Sequence, residues 1–149
     1  MTHIIIPYIV INQALKTLTP NATARVAARV MGSNRISAII VAENERLAGI
    51  VTERDLTTKV LAVSLDPDAT VLSDVMTANP DTLSPDGSPF NALELMSLRG
   101  YRHLPVVDET SVIGMVSIRD LYAAVKDTLE DDIRQREALI FDTSYGASA

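Results

Sequence analysis

Thr52, Arg54 and Asp55 stand within one helical turn of each other, and Ser117, Arg119 and Asp120 repeat the set sixty-five residues further on. Each set follows an apolar run that opens on glycine, Gly49-Ile50-Val51 in the first copy and Gly114-Met115-Val116 in the second. A helix beginning at such a strand end offers backbone N–H groups to an anion, the hydroxyl can join them, and the arginine supplies charge for a phosphate. The carboxylate would repel phosphate, but it can accept two hydrogen bonds from a vicinal diol, as the acid of a dinucleotide fold does with ribose. Hydroxyl, arginine and aspartate at this spacing therefore suit a ribose together with its 5′-phosphate. The hydroxyl-to-acid spacing also makes a capping box, which needs no ligand. Thr52 or Ser117 would hold a free N–H at the helix start, and Asp55 or Asp120 would sit where the helix dipole favours negative charge. A cap alone does not require Arg54 and Arg119 at matching places in both copies.

The elements that carry these sets are themselves doubled. With the halves offset by sixty-five residues and no gap, Thr17 meets Thr82, Leu18 meets Leu83, Pro20 meets Pro85, Ala27 meets Ala92, Met31 meets Met96, Val41 meets Val106 and Val60 meets Val125. One register held across strands, helices and turns indicates a duplicated unit. Thr17 to Thr23 and Thr82 to Ser88 each read as a short extended piece, a proline turn and a helix cap. Apolar residues at helical spacing follow over 24–31 (Val26, Ala27, Val30, Met31) and 89–98 (Phe90, Leu93, Leu95, Met96). Apolar, β-branched runs at 36–42 and 104–107 predict buried strands, and second strands return over 47–51 and 112–116. The last helix of each unit then begins at the hydroxyl-to-aspartate step. Each unit so acquires a β-α-β-β-α order, and the fold class is α/β (α+β).

Between the units, residues 64–70 read as a linker and 71–76 as a helical turn. Residues 127–140 read as a charged helix whose sparse apolar side is Leu129, Ile133 and Ile140, solvated or facing a partner. Residues 144–149 read as a frayed end. The division is an arm at 1–14, one repeat at 15–66, a second at 67–128, and a helix with tail at 129–149.

At 149 residues the chain buries on the order of 70% of its unfolded surface, while half of it alone would be marginal. The two repeats are therefore expected to share one core. A net charge of −6 repels polyanions, so nucleic acid is not an expected partner. Cysteine is absent, which removes thiol nucleophiles and thiolate metal sites and fits a reducing, cytoplasmic compartment. The apolar run Ile4-Ile5-Ile6-Pro7-Tyr8-Ile9-Val10-Ile11 is far too short to span a membrane and has no basic stretch before it. It reads as an edge strand or packed arm, or as an arm exchanged with a second subunit. Two histidines, His3 and His103, no glycine-rich phosphate loop and no metal-spaced acid cluster weigh against an enzyme.

With its doubled motif, the sequence resembles the cystathionine-β-synthase (CBS) domain family, whose units come in pairs marked by glycine, an apolar pair, Thr or Ser, two residues and Asp. The resemblance covers residues 15–126. It implies a pseudo-two-fold pair of repeats, not catalytic, that senses an adenosine ligand such as AMP, ADP, ATP, NAD or S-adenosylmethionine. It also implies homodimers forming a flat disc of four units, with a separate regulated protein as a possible partner. A constitutive dimerisation scaffold without a ligand is the alternative. In the first implied cleft Thr52 and Asp55 hold the ribose, Arg102, His103 and Arg119 approach the phosphate, and Met76 and Thr77 line the adenine. Leu104 and Pro105 complete that strand start, with Ile40 where the first repeat would have the proline. In the second cleft Ser117 and Asp120 face Ser37, Ala38 and Arg54, with Leu15 and Thr17 on the base side. On this distribution of cations, one nucleotide binds tightly in the first cleft and the second is weak or empty.

Overall fold

The computed structural model describes residues 15–147. The apolar arm expected within 1–14 lies outside the described residues, as do residues 148–149. In the first repeat, strand β1 (Thr17–Leu18) leads to helix α1 (Ala24–Asn34), strands β2 (Ala38–Glu43) and β3 (Arg46–Thr52), and helix α2 (Glu53–Leu56), which widens into a π-helical turn at Thr57–Leu61. A one-turn helix α3 (Leu72–Val75) and strand β4 (Thr77–Ala78) cross to the second repeat. That repeat contains helix α4 (Pro89–Arg99), strands β5 (His103–Asp108) and β6 (Ser111–Ser117), and helix α5 (Ile118–Ala147).

The duplication extends to details of the backbone. β2 and β3 pair antiparallel from Ala38↔Thr52 to Glu43↔Arg46 with a register shift at Val41/Ala42. β5 and β6 pair from His103↔Ser117 to Asp108↔Ser111 with the shift at Val106/Val107, the same offset in sequence. Thr23 caps α1 through its side chain, and both α1 and α4 end in a left-handed residue, Arg35 and Gly100. In the second repeat the counterpart of β1 is reduced to one parallel bridge, Leu83↔Val106. The sheet runs β1-β2-β3-β6-β5, and among the described residues the two repeats are joined at β3 and β6 by Arg46↔Ser111, with Val112 N–H donating to the Glu45 carbonyl at 3.1 Å.

The single shared core expected from chain length is not what forms. Buried apolar side chains fall into two clusters, one built on Ala27, Met31, Ile39, Val41, Val51, Leu72 and their neighbours, the other on Ala92, Met96, Leu104, Val106, Val116 and Leu121. Each repeat covers one face of its own strands with its own helices, and α3 closes the first core with Leu72 and Val75. Ile40 and Ile50 alternate onto the opposite face of the first sheet and are buried there too. A frayed end from Ser144 is not found either, since α5 stays helical to Ala147 and passes residue 128 without a break. Charges of alternating sign along it, with Glu130 between Lys126 and Arg134 at i±4, favour that continuation.

Gly49 decides how the crossing segment docks. β4 pairs with β3 through Gly49↔Ala78 and Ile50↔Thr77. A Cβ at Gly49 would stand 2.6 Å from Met76 Sδ and 2.7 Å from the Thr77 carbonyl oxygen, so a side chain here would push β4 off the sheet.

Candidate functional site

Both repeats end their second strand in the predicted cap. Thr52 N–H donates to Asp55 Oδ2 at 2.9 Å and Asp55 N–H donates to Thr52 Oγ1 at 3.2 Å. Ser117 N–H donates to Asp120 Oδ2 at 3.0 Å and Asp120 N–H to Ser117 Oγ at 3.1 Å. Each helix start is also tied to the first residues of its neighbouring strand. Glu53 N–H donates to the Ser37 carbonyl at 2.9 Å, and Ile118 N–H to the Arg102 carbonyl at 2.8 Å. Sheet pairing and capping together fix the hydroxyl, the acid and the strand start as one rigid corner per repeat. The corners face each other, and Ser37 Oγ lies 3.1 Å from His103 Nε2 across the pseudo-two-fold.

A cavity of about 370 Å³ opens beside the first corner, within the range of small-molecule sites. Thr52, Arg54 and Asp55 line it from the first repeat, Thr77 from the crossing strand, and Arg102, His103 and Leu104 from the second repeat. A larger cavity of about 990 Å³ lies beside the second corner. Ser117, Arg119 and Asp120 line it opposite Ser37 and Ala38. Arg102, His103, Ser37 and Glu53 form a wall common to both.

Several expected positions are revised. Arg119 lines the second cavity and Arg54 the first, the reverse of the expected assignment. Each arginine sits in the first turn of the helix that opens at its own corner and lines the same cavity as the acid of its own repeat. The expected excess of cations in the first cleft disappears with it. Arg54 and Arg99 accompany the common Arg102 in one cavity, and Arg35 and Arg119 accompany it in the other. Met76 does not line the first cavity; it packs on the first core behind Gly49. Leu15 and Thr17 line neither described cavity, and Thr17 is exposed on β1 opposite Ile40. Pro105 is buried within β5 opposite Met115, one residue beyond the cavity wall.

Sequence reasoning missed Tyr101 and Pro80 in the first cavity and Arg35 in the second. The repeat offset carried a signal for Tyr101, which replaces Ile36 just before the strand start and brings an aromatic face to the cleft. Arg35 gave no such signal. It reaches the cavity because α1 ends on it in a left-handed turn, at φ 53°.

His103, half-buried in the common wall, is held below its ordinary value of 6.5, chiefly by burial. Asp120 and Glu53 oppose that shift, and Arg102 adds to it. The unfolded chain takes up this proton as pH falls through 6.5 while the folded chain resists, so the unfolded state binds more protons in that window. The contribution of His103 to stability is therefore complete above 6.5 and is lost as pH drops toward the lowered folded value. Urea denaturation across this interval should show a steeper loss of stability for the natural protein than for His103→Gln. Equal pH slopes would contradict the assignment.

Residues 8–62 and 71–127 each match the family described as CBS domain. The CBS domain-containing protein CBSCBSPB2 of Arabidopsis thaliana is 36% identical over 125 residues, 83% of this chain, and the match spans only 23% of that relative. A CBS-domain structure from Burkholderia ambifaria MC40-6 aligns with TM-score 0.74 at 34% identity, covering 78% of this chain and 90% of the other. A CBS domain protein from Pyrobaculum aerophilum, solved in complex with AMP, aligns with TM-score 0.68 at 26% identity, covering 74% and 86%.

Proposed function

Because the chain belongs to the CBS domain family and carries two of its repeats, we propose that it is a regulatory module that binds an adenosine nucleotide between the repeats. AMP, ADP, ATP and NAD share the ribose 5′-phosphate that the corners suit, and S-adenosylmethionine shares the ribose. The observation that carries the reading is the convergence, in each cavity, of an acid and hydroxyl from one repeat with groups from the other. Asp55 and Thr52 share a cavity with Arg102 and His103, and Asp120 and Ser117 share one with Ser37 and Arg35. The AMP complex of the Pyrobaculum protein supports the choice of ligand class.

Binding rather than catalysis is the role of these groups. Both acids also cap their helices, which leaves them fixed in place for a ligand's hydroxyls. No helix among the described residues is long and apolar enough to cross a membrane. Occupancy is reported through assembly or a partner, for which α5 offers exposed Leu129, Ile133 and Ile140, at 50%, 56% and 65% exposure. A homodimer is the simplest assembly to expect from a two-repeat module.

Thermal denaturation with each of the five compounds tests the reading. A nucleotide at 100 times its dissociation constant adds about 2.7 kcal/mol, which for a chain of this length raises Tm by roughly 5–10 °C. A flat response to all five compounds would leave a constitutive dimerisation scaffold in its place.

A further inference from the structure

The two acids of the repeat pair are not in the same state. Asp55 Oδ2 accepts two hydrogen bonds, from Thr52 N–H at 2.9 Å and Thr52 Oγ1–H at 3.1 Å, and Oδ1 is paired with Lys59 Nζ at 2.9 Å. A carboxylate offers about four acceptor positions, so only one remains, and a vicinal diol needs two. The Asp55 side chain is also only 13% exposed. Asp120 accepts a bond from Ser117 N–H, is exposed, and among the described residues is held in no ion pair with a lysine or arginine, although Arg35, Arg102 and Arg119 line the same cavity. The difference is written in one residue, since Ala124 stands sixty-five positions after Lys59.

Lys59 does more than cover the acid. Its Nζ also donates to the Val75 carbonyl at 3.0 Å, at the end of α3 and two residues before Thr77. It thereby ties the ribose acid of the first corner to the segment that lines the same cavity. The lysine sits in the π-helical turn Thr57–Leu61, whereas the second repeat runs on as unbroken α-helix.

We propose that Lys59 keeps Asp55 closed to ribose, so that the cleft of Asp120 is the one that takes the nucleotide and the cleft of Asp55 is a latent second site. This reverses the order expected from sequence and rests on the adenosine-nucleotide reading above. The latent site opens only when the lysine leaves the acid, which gives the module a lock on one of its two clefts.

Isothermal titration with AMP separates the possibilities. The natural chain should take up one AMP per chain, and Asp120→Asn, which keeps a cap acceptor on an exposed side chain, should weaken it by roughly tenfold or more. Lys59→Met should raise the stoichiometry from one to two, Lys59→Arg should leave it at one, and adding Asp55→Asn to Lys59→Met should return it to one. Lys59→Gln serves if the methionine variant does not fold. Two equal sites in the natural chain, an affinity unmoved by Asp120→Asn, or a stoichiometry of one in a folded Lys59→Met or Lys59→Gln chain would overturn the assignment; the last would leave Lys59 a structural fastener. If neither the natural chain nor the Lys59 variants bind any adenosine compound, the nucleotide reading itself falls and takes the assignment with it.

Discussion

Arg102→Ala is expected to weaken AMP binding on the order of 10- to 100-fold while changing the affinity for adenosine, which lacks the phosphate, by less than about threefold. Arg102 is exposed at the start of β5 and is the arginine that lines both cavities. A charge-assisted bond from a guanidinium to phosphate contributes about 1.5–3 kcal/mol, which sets the size of the loss. The fold should survive, because the structural bond at this position comes from its carbonyl, which accepts from Ile118 N–H at 2.8 Å. Arg102→Lys should fall between the two, retaining charge but losing the planar fork that meets phosphate at two oxygens. Raising salt should weaken AMP binding more in the natural chain than in Arg102→Ala. Calorimetry with AMP and adenosine side by side reads all of this, and equal losses for the two ligands would mean that Arg102 does not face the phosphate.

The strands, the caps and the repeat offset were legible because each is a local pattern. Thr52 to Asp55 and Ser117 to Asp120 form the boxes their spacing predicts, and the register shift recurs at the same offset in the β2–β3 and β5–β6 pairs. Harder to read was anything decided by the direction of a side chain in space. The family resemblance sends Arg54 and Arg119 each to the other repeat's acid, whereas each lines the cavity of its own, a matter of side-chain direction that spacing does not carry. Met76 looked available at a helix end, yet the missing side chain of Gly49 draws it onto the sheet. Nothing in the sequence pattern singles out Lys59. Its spacing to Asp55 is an ordinary i,i+4 pair, and what makes it matter is the burial of that acid and the approach of the Val75 carbonyl, both of them tertiary facts.

Leu121→Ala should cost about 2–5 kcal/mol, a large share of the 5–15 kcal/mol typical of a whole domain, and lower Tm by roughly 5–15 °C. Leu121 is fully buried, and among the described residues the core it belongs to contains six buried apolar side chains where the first repeat's core contains ten. Removing one of six leaves fewer neighbours able to close the cavity, so the damage should stay in the second repeat. The two cores are separate, and the β3–β6 junction between the repeats is short, Arg46↔Ser111 with Val112 N–H donating to the Glu45 carbonyl, so the second repeat is expected to open ahead of the first. Hydrogen exchange should therefore show β5, β6 and α4 losing protection in the variant well before β2 and β3, whereas a uniform loss would mean that the pair unfolds as one cooperative unit. The consequence reaches the site, because Leu121 directly follows Asp120 on the first turn of α5. The acid left open to ribose is thus anchored by the smaller of the two cores, and sub-global opening of the second repeat would release a bound nucleotide without unfolding the first.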